Sequence, residues 1–171
     1  MEKTELGVIV TCENGLSVPI ERVYAKQSRG KWVWVSEDGS YPFPQIKPVF
    51  DQLRDAVAAA RFAWIGPYLN IEFNDEIASQ FEKSSIIPLK PECIWTLMKP
   101  DLRSGEDEVK LGAIKINRDI IDIFAIRDVD NYWRVQTGMG WGLSGCYDSV
   151  STARLAMIYV WNSPKWRLAI Y

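Results

Sequence analysis

Phe50 to Pro67 reads FDQLRDAVAAARFAWIGP, and Tyr147 to Pro164 reads YDSVSTARLAMIYVWNSP. Aligned without a gap, five of the 18 positions are identical: Asp51/Asp148, Ala56/Ala153, Ala59/Ala156, Trp64/Trp161 and Pro67/Pro164. Phe50/Tyr147, Leu53/Val150 and Phe62/Tyr159 are similar in kind. Tryptophan and proline are rare, so their coincidence at one offset marks an internal repeat. The segment reads as a helix. Asp51 and Asp148 stand where an N-cap belongs, each behind an aromatic suited to a hydrophobic staple. Ala56, Ala59, Ala60 and Ala63 fall at i, i+3, i+4 and i+7, one helix face of small residues that lets the helix lie close on a sheet. In the second copy Ala153 and Ala156 play that part beside Val150, Leu155 and Met157. The helix should stop ahead of Pro67 and Pro164, because the residue before proline disfavours helical geometry.

Working outward, a strand is expected after each helix, over Tyr68 to Phe73 and Trp166 to Tyr171. Before the first helix, Val8 to Val10, Val18 to Tyr24 and Lys31 to Val35 are short and rich in β-branched and aromatic residues. Asn14-Gly15 and Arg29-Gly30 supply the turns between them. The second copy offers Ala113 to Ile116, Ile120 to Arg127 and Tyr132 to Gln136, with turns at Asn117 to Asp119 and Asp128 to Asn131. Two further echoes support the pairing. Leu6-Gly-Val-Ile9 recurs as Leu111-Gly-Ala-Ile114, and Lys31-Trp-Val-Trp-Val35 has a counterpart in Tyr132-Trp-Arg-Val135. The expected fold is α+β: two related β-β-β-α-β units, each an antiparallel sheet packed by one helix. The units sit side by side or share one sheet. Residues 1–73 form the first unit and 110–171 the second. An acidic connecting segment over 74–109 holds a short helix from Asn74 to about Lys83. It also holds an edge strand within Ile86 to Met98, where Pro88 and Pro91 exclude a central position.

Composition narrows the chemistry. The 171 residues contain no histidine, three cysteines and eight tryptophans, with a net charge of −2. Without histidine there is no Ser-His-Asp triad, no Cys-His pair and no HExxH zinc site. Cys12, Cys93 and Cys146 are too few and too far apart for a structural zinc site or a disulfide framework. No cofactor or metal is expected. The N-terminal residues are charged and include acids, unlike a signal peptide, and the longest apolar run, Leu155 to Trp161, is far short of a membrane span. A cytoplasmic protein is expected, as a monomer or homodimer. The charge is uneven: net −1 over residues 1–73, −4 over 74–109 and +3 over 110–171. None of these fields is strong enough for a DNA mimic or a non-specific nucleic-acid binder.

Four features carry candidate chemistry. Gly140-Trp-Gly-Leu-Ser-Gly145 is a literal GxGxxG between strand and helix. However, its strands read as antiparallel and the following strand lacks the required acid, so a flexible connection is the preferred reading. Asp119/Asp122 and Asp128/Asp130 are paired carboxylates of the kind that hold Mg²⁺ or do acid–base work, yet both pairs sit at turn positions that favour aspartate for local reasons. Cys146, before a helix N-terminus, is a candidate for a lowered thiol pKa but has no base partner in sequence. Arg22, Lys26, Arg29 and Lys31 surround Trp32 and Trp34, the interleaving that single-stranded nucleic-acid binding uses. Alternation puts Trp32 and Trp34 on one face of their strand and Val33 and Val35 on the other, without saying which is inside.

The leading expectation is a non-catalytic protein that binds another protein through exposed aromatics, as an adaptor or inhibitor of the phage or mobile-element kind. The tryptophans without clear repeat partners, Trp34, Trp95, Trp141 and Trp166, are the expected contact residues, because tryptophan is enriched at binding hot spots. Trp32, Trp64, Trp133 and Trp161 are matched pairs and expected in the core. The alternatives are nucleic-acid binding through Arg22, Lys26, Arg29 and Lys31, and a carboxylate- or Mg²⁺-dependent hydrolase.

Overall fold

The computed structural model describes residues 2–40, 47–81 and 107–171, together with the backbone of 94–97. The first unit comprises β1 (Lys3–Glu13), β2 (Leu16–Ser28), β3 (Lys31–Val35), α1 (Leu53–Ala63) and β4 (Leu69–Phe73). Then come α2 (Asp75–Phe81) and β5 (Ile94–Leu97). The second unit comprises β6 (Glu108–Ile116), β7 (Asp119–Arg127), β8 (Trp133–Thr137), α3 (Val150–Trp161) and β9 (Arg167–Ile170). The fold is α+β, two β-β-β-α-β units. They do not share a sheet. One sheet runs β3-β2-β1-β4 and is antiparallel throughout. The other runs β5-β9-β6-β7-β8; its last four strands are antiparallel, and β5 joins the edge parallel to β9.

The repeat extends to backbone detail. β1 skips one residue in its pairing with β2 between Glu5 and Gly7, and β6 does the same with β7 between Lys110 and Gly112. Such a bulge bends a strand and raises its twist. At both places the neighbouring strand lies against the glycine. A Cβ on Gly7 would overlap the Glu72 carbonyl oxygen and come within 2.7 Å of Phe73 Cα; one on Gly112 would overlap the Ala169 carbonyl oxygen. The next bond is also repeated: Asn74 N–H donates to Leu6 O at 2.9 Å, and Tyr171 N–H to Leu111 O at 2.8 Å. The echo of Leu6-Gly7 in Leu111-Gly112 therefore marks a place where only glycine lets the neighbouring strand in.

Each helix lies on its own sheet. The buried face of α1 is Ala56, Val57, Ala59, Ala60 and Ala63. Its alanines bring the backbone near enough for Trp34 Nε1 to donate to Ala56 O at 3.0 Å. The helix starts differ by one residue from the sequence expectation. Gln52 and Ser149 are the N-caps, not Asp51 and Asp148. Asp51 is drawn instead into an ion pair with Lys31 on β3. Ser149 Oγ accepts from Thr152 N–H at 3.1 Å, an N-cap bond. Leu155, expected inside, is 45% exposed. α2 begins behind Asn74, whose Oδ1 accepts from Ile77 N–H at 2.8 Å.

The two units share one core, and they meet in a near-symmetric way. α1 packs on α3. Phe62 and Tyr159, equivalent in the repeat, stack on each other with centroids 4.7 Å apart and planes 7° from parallel. Val49 N–H donates to Ser163 Oγ at 3.2 Å, and its equivalent Cys146 donates to Ile65 O at 2.8 Å. A pair of self-equivalent residues in contact is the mark of a two-fold interface. Here a single chain makes both halves of it. Tyr147 adds a bond of its own, from its hydroxyl to Phe62 O at 2.7 Å, and burial pushes its ionisation far above the ordinary tyrosine range. Among the described residues no helix is long and apolar enough to cross a membrane.

Candidate binding surface

Six of the eight tryptophans are core residues, which removes Trp34 and Trp166 from the expected contact surface. Trp34 is completely buried, in ring contact with Phe50 at 5.1 Å and Trp64 at 4.8 Å. Trp166 is buried too, its Nε1 donating to Trp161 O at 2.6 Å. Trp141 is half-buried and packs against the core from the Gly-rich loop. Trp95 lies on β5, and its side chain is outside the described residues. Trp32, Trp64, Trp133 and Trp161 are buried, as the repeat predicts. The physical reason is shared. On β3 and β8 the face that meets the helix must be apolar, so Trp32 and Trp34 turn inward like Trp133 and Val135.

The basic residues do not form a platform with them. Arg22 reaches Glu5 at 3.6 Å, and Lys31 is paired with Asp51. Lys26 stands across from Lys3 and Val33 on the sheet. Arg29 occupies the β2–β3 turn with positive φ, next to Gly30, as a two-residue hairpin turn demands. With Trp32 and Trp34 inside, β3 offers these cations no tryptophan face to stack a base on, and the half-buried Tyr24 between Arg22 and Lys26 already carries Lys3 over its ring.

The other candidates resolve into structure. In the GxGxxG loop, Gly140 takes a positive φ, a Cβ on Gly142 would press on Val135 O at 2.7 Å, and one on Gly145 on the Tyr147 hydroxyl at 2.6 Å. The helix begins only at Val150, so the loop does not lead straight into a helix N-terminus as a dinucleotide cradle does. Asp128 closes its turn by accepting from Asp130 N–H and Tyr132 N–H, both at 3.0 Å, with Arg134 3.4 Å away. Desolvation raises its pKa, but these donors outweigh it and hold the carboxyl below the ordinary range. Asp122 pairs with Lys110 at 3.0 Å. Cys146 is buried, and burial pushes its thiol pKa up rather than down. Among the described residues no group of three Cys, Asp or Glu side chains is arranged to hold a metal ion.

What sequence reasoning missed is β2. β3 pairs only with Tyr24–Ser28, so among the described residues Leu16 to Val23 is laddered on its β1 side alone. On that overhang Leu16, Val18 and Ile20 are 70%, 44% and 52% exposed. Beside it opens a cleft of about 460 Å³, lined by Val8, Pro19, Ile20, Glu21, Arg22, Ser36, Glu37 and Asp38. Ser36 and Glu21 are hydrogen-bonded across it. Ser40 hydrogen bonds to the exposed Asp38 hold that carboxyl below its ordinary range. The second unit has a shorter overhang, with β8 paired from Ile123 onward and β7 starting at Asp119. The hairpin extension is thus one place where the two sheets differ, beside the added β5.

No family model, curated protein or solved structure matches the chain.

Proposed function

We propose that the chain is a non-catalytic cytoplasmic binding protein, an adaptor or inhibitor, that meets another protein along β2. The contact residues are Leu16, Val18 and Ile20 rather than the tryptophans. One observation supports this reading above the others: three large apolar side chains alternate along a strand overhang that is unpaired on one side among the described residues. Natural sheets rarely leave apolar edges open, because such an edge is a ready template for another chain. The surrounding residues are polar, the setting in which an exposed apolar patch marks an interaction site.

The test uses the triple variant Leu16→Thr, Val18→Thr, Ile20→Thr. Threonine keeps strand propensity while removing apolar area. Wild type and variant are cross-linked to their neighbours in the cell that makes them, and bound proteins are compared quantitatively. The reading predicts a partner that is lost with the variant and retained with Leu155→Thr, an exposed leucine on α3. A folded triple variant that keeps every wild-type partner refutes it.

A further inference from the structure

We infer that the occupant of this surface is an extended segment of another protein, with basic residues set among apolar ones, lying along β2 and into the adjoining cleft. This rests on the binding role proposed above and names the chemistry of the partner. The shape asks for an extended chain. The overhang Leu16 to Val23 offers a strand edge some eight residues long by the β3 ladder, with an irregularity at Ile20, which the β1 pairing skips, and an added strand is a common way for a sheet edge to bind peptide. Pro19 has no N–H to give, so a docked segment takes its main-chain bonds from residues to either side of it.

The charge asks for a cation. Glu21, Glu37 and Asp38 line the cleft, against one cation, Arg22. The Arg22 guanidinium is turned to Glu5. Lys3, at the nearby rim, donates to the Glu37 carbonyl and stands over the Tyr24 ring at 4.1 Å. Among the described residues these three carboxylates thus face two cations, Arg22, shared with Glu5, and Lys3, whose charge also reaches Asp38, while Val8, Pro19 and Ile20 provide an apolar wall. An acidic segment would meet like charge here, which costs affinity directly. A purely apolar segment would desolvate the carboxylates without pairing them.

The test is selection from a phage-displayed random dodecapeptide library against the full chain. Fluorescein-labelled versions of the selected peptides are then titrated by anisotropy. The expected result is peptides in which lysine or arginine alternates with apolar residues. They should bind about tenfold more weakly to Glu21→Gln, Glu37→Gln, Asp38→Asn, and weaken as salt rises. The threonine triple variant should not bind them. Peptides that lack basic residues and bind the charge-neutral variant as well as wild type overturn the inference, while leaving the β2 binding role in place. A concentration-dependent dimer of the chain itself, abolished by the threonine substitutions, also overturns it, by making a second copy the occupant. Failure to enrich any peptide, together with partner capture insensitive to the threonine substitutions, sinks both readings.

Discussion

Replacing Gly7 or Gly112 by alanine should destabilise the protein by similar amounts, although one lies in each unit. At both positions the new Cβ falls on a carbonyl oxygen of the neighbouring strand, Glu72 in one case and Ala169 in the other. Carbon and oxygen cannot share that space, so β4 or β9 has to retreat. The bonds nearest the glycine go first: Asn74 N–H to Leu6 O, and Tyr171 N–H to Leu111 O. Losing one backbone bond costs about 1 kcal/mol. Overpacking a well-filled site costs a further 1–3 kcal/mol, roughly. Each substitution should therefore cost about 2–4 kcal/mol, a large part of the roughly 5–15 kcal/mol that holds a domain folded. For a chain of this length, that is a drop in Tm of about 4–16 °C. Urea unfolding followed by circular dichroism would measure it, with the slope against urea unchanged. If either alanine variant lies within about 0.5 kcal/mol of wild type, the close strand approach is wrong at that glycine.

Further expectations follow from the same geometry. Trp34→Ala empties a fully buried site and removes the bond to Ala56, so it should cost about 3–5 kcal/mol by denaturant melts. Phe62 and Tyr159 should couple by about 0.5–1.5 kcal/mol in a double-alanine cycle, the worth of a stacked pair beyond its buried area. Burial raises the Asp55 carboxyl above its ordinary pKa, against the pull of Arg54. The folded state therefore holds that proton to higher pH than the unfolded chain, and the ionised group costs stability above the raised value. Asp55→Asn should raise Tm at pH 7, with a gain that shrinks as the pH falls toward about 4. In the native protein a thiol reagent at pH 8 should label the half-buried Cys12 well before Cys146, which should react at the rate of unfolding.

The repeat was legible because its constraints are local and strong. The 97-residue offset that pairs Phe50–Pro67 with Tyr147–Pro164 also pairs the stacked Phe62 and Tyr159. Leu6-Gly7 and Leu111-Gly112 matched because a bulge and a close strand require glycine in both. Helix starts slipped by one residue because Asp51 is paired with Lys31 rather than with the helix backbone, and because Ser149, not Asp148, caps the second helix. The tryptophan surface was misread for a different reason. A period of two separates the faces of β3 but does not say which face meets a helix. The signal was present: Trp32 aligns with Trp133, and Trp34 then falls on the same face as Trp32, where the second unit has Val135. The β2 overhang was not legible at all. Val18 and Ile20 read as ordinary strand residues, Leu16 fell outside the expected strand, and their exposure depends on where β3 stops pairing, a long-range property that alternation along β2 cannot encode.

Binding of a protein along β2 is the proposed role of the chain. The most direct measurement is photo-crosslinking in the producing cell, with benzoyl-phenylalanine placed in turn at Val18 and at Val129, the latter 98% exposed at the β7–β8 turn. A discrete adduct with another protein is expected from position 18 and none from position 129. Adducts from position 129 with none from position 18, or no adduct from either, would contradict it.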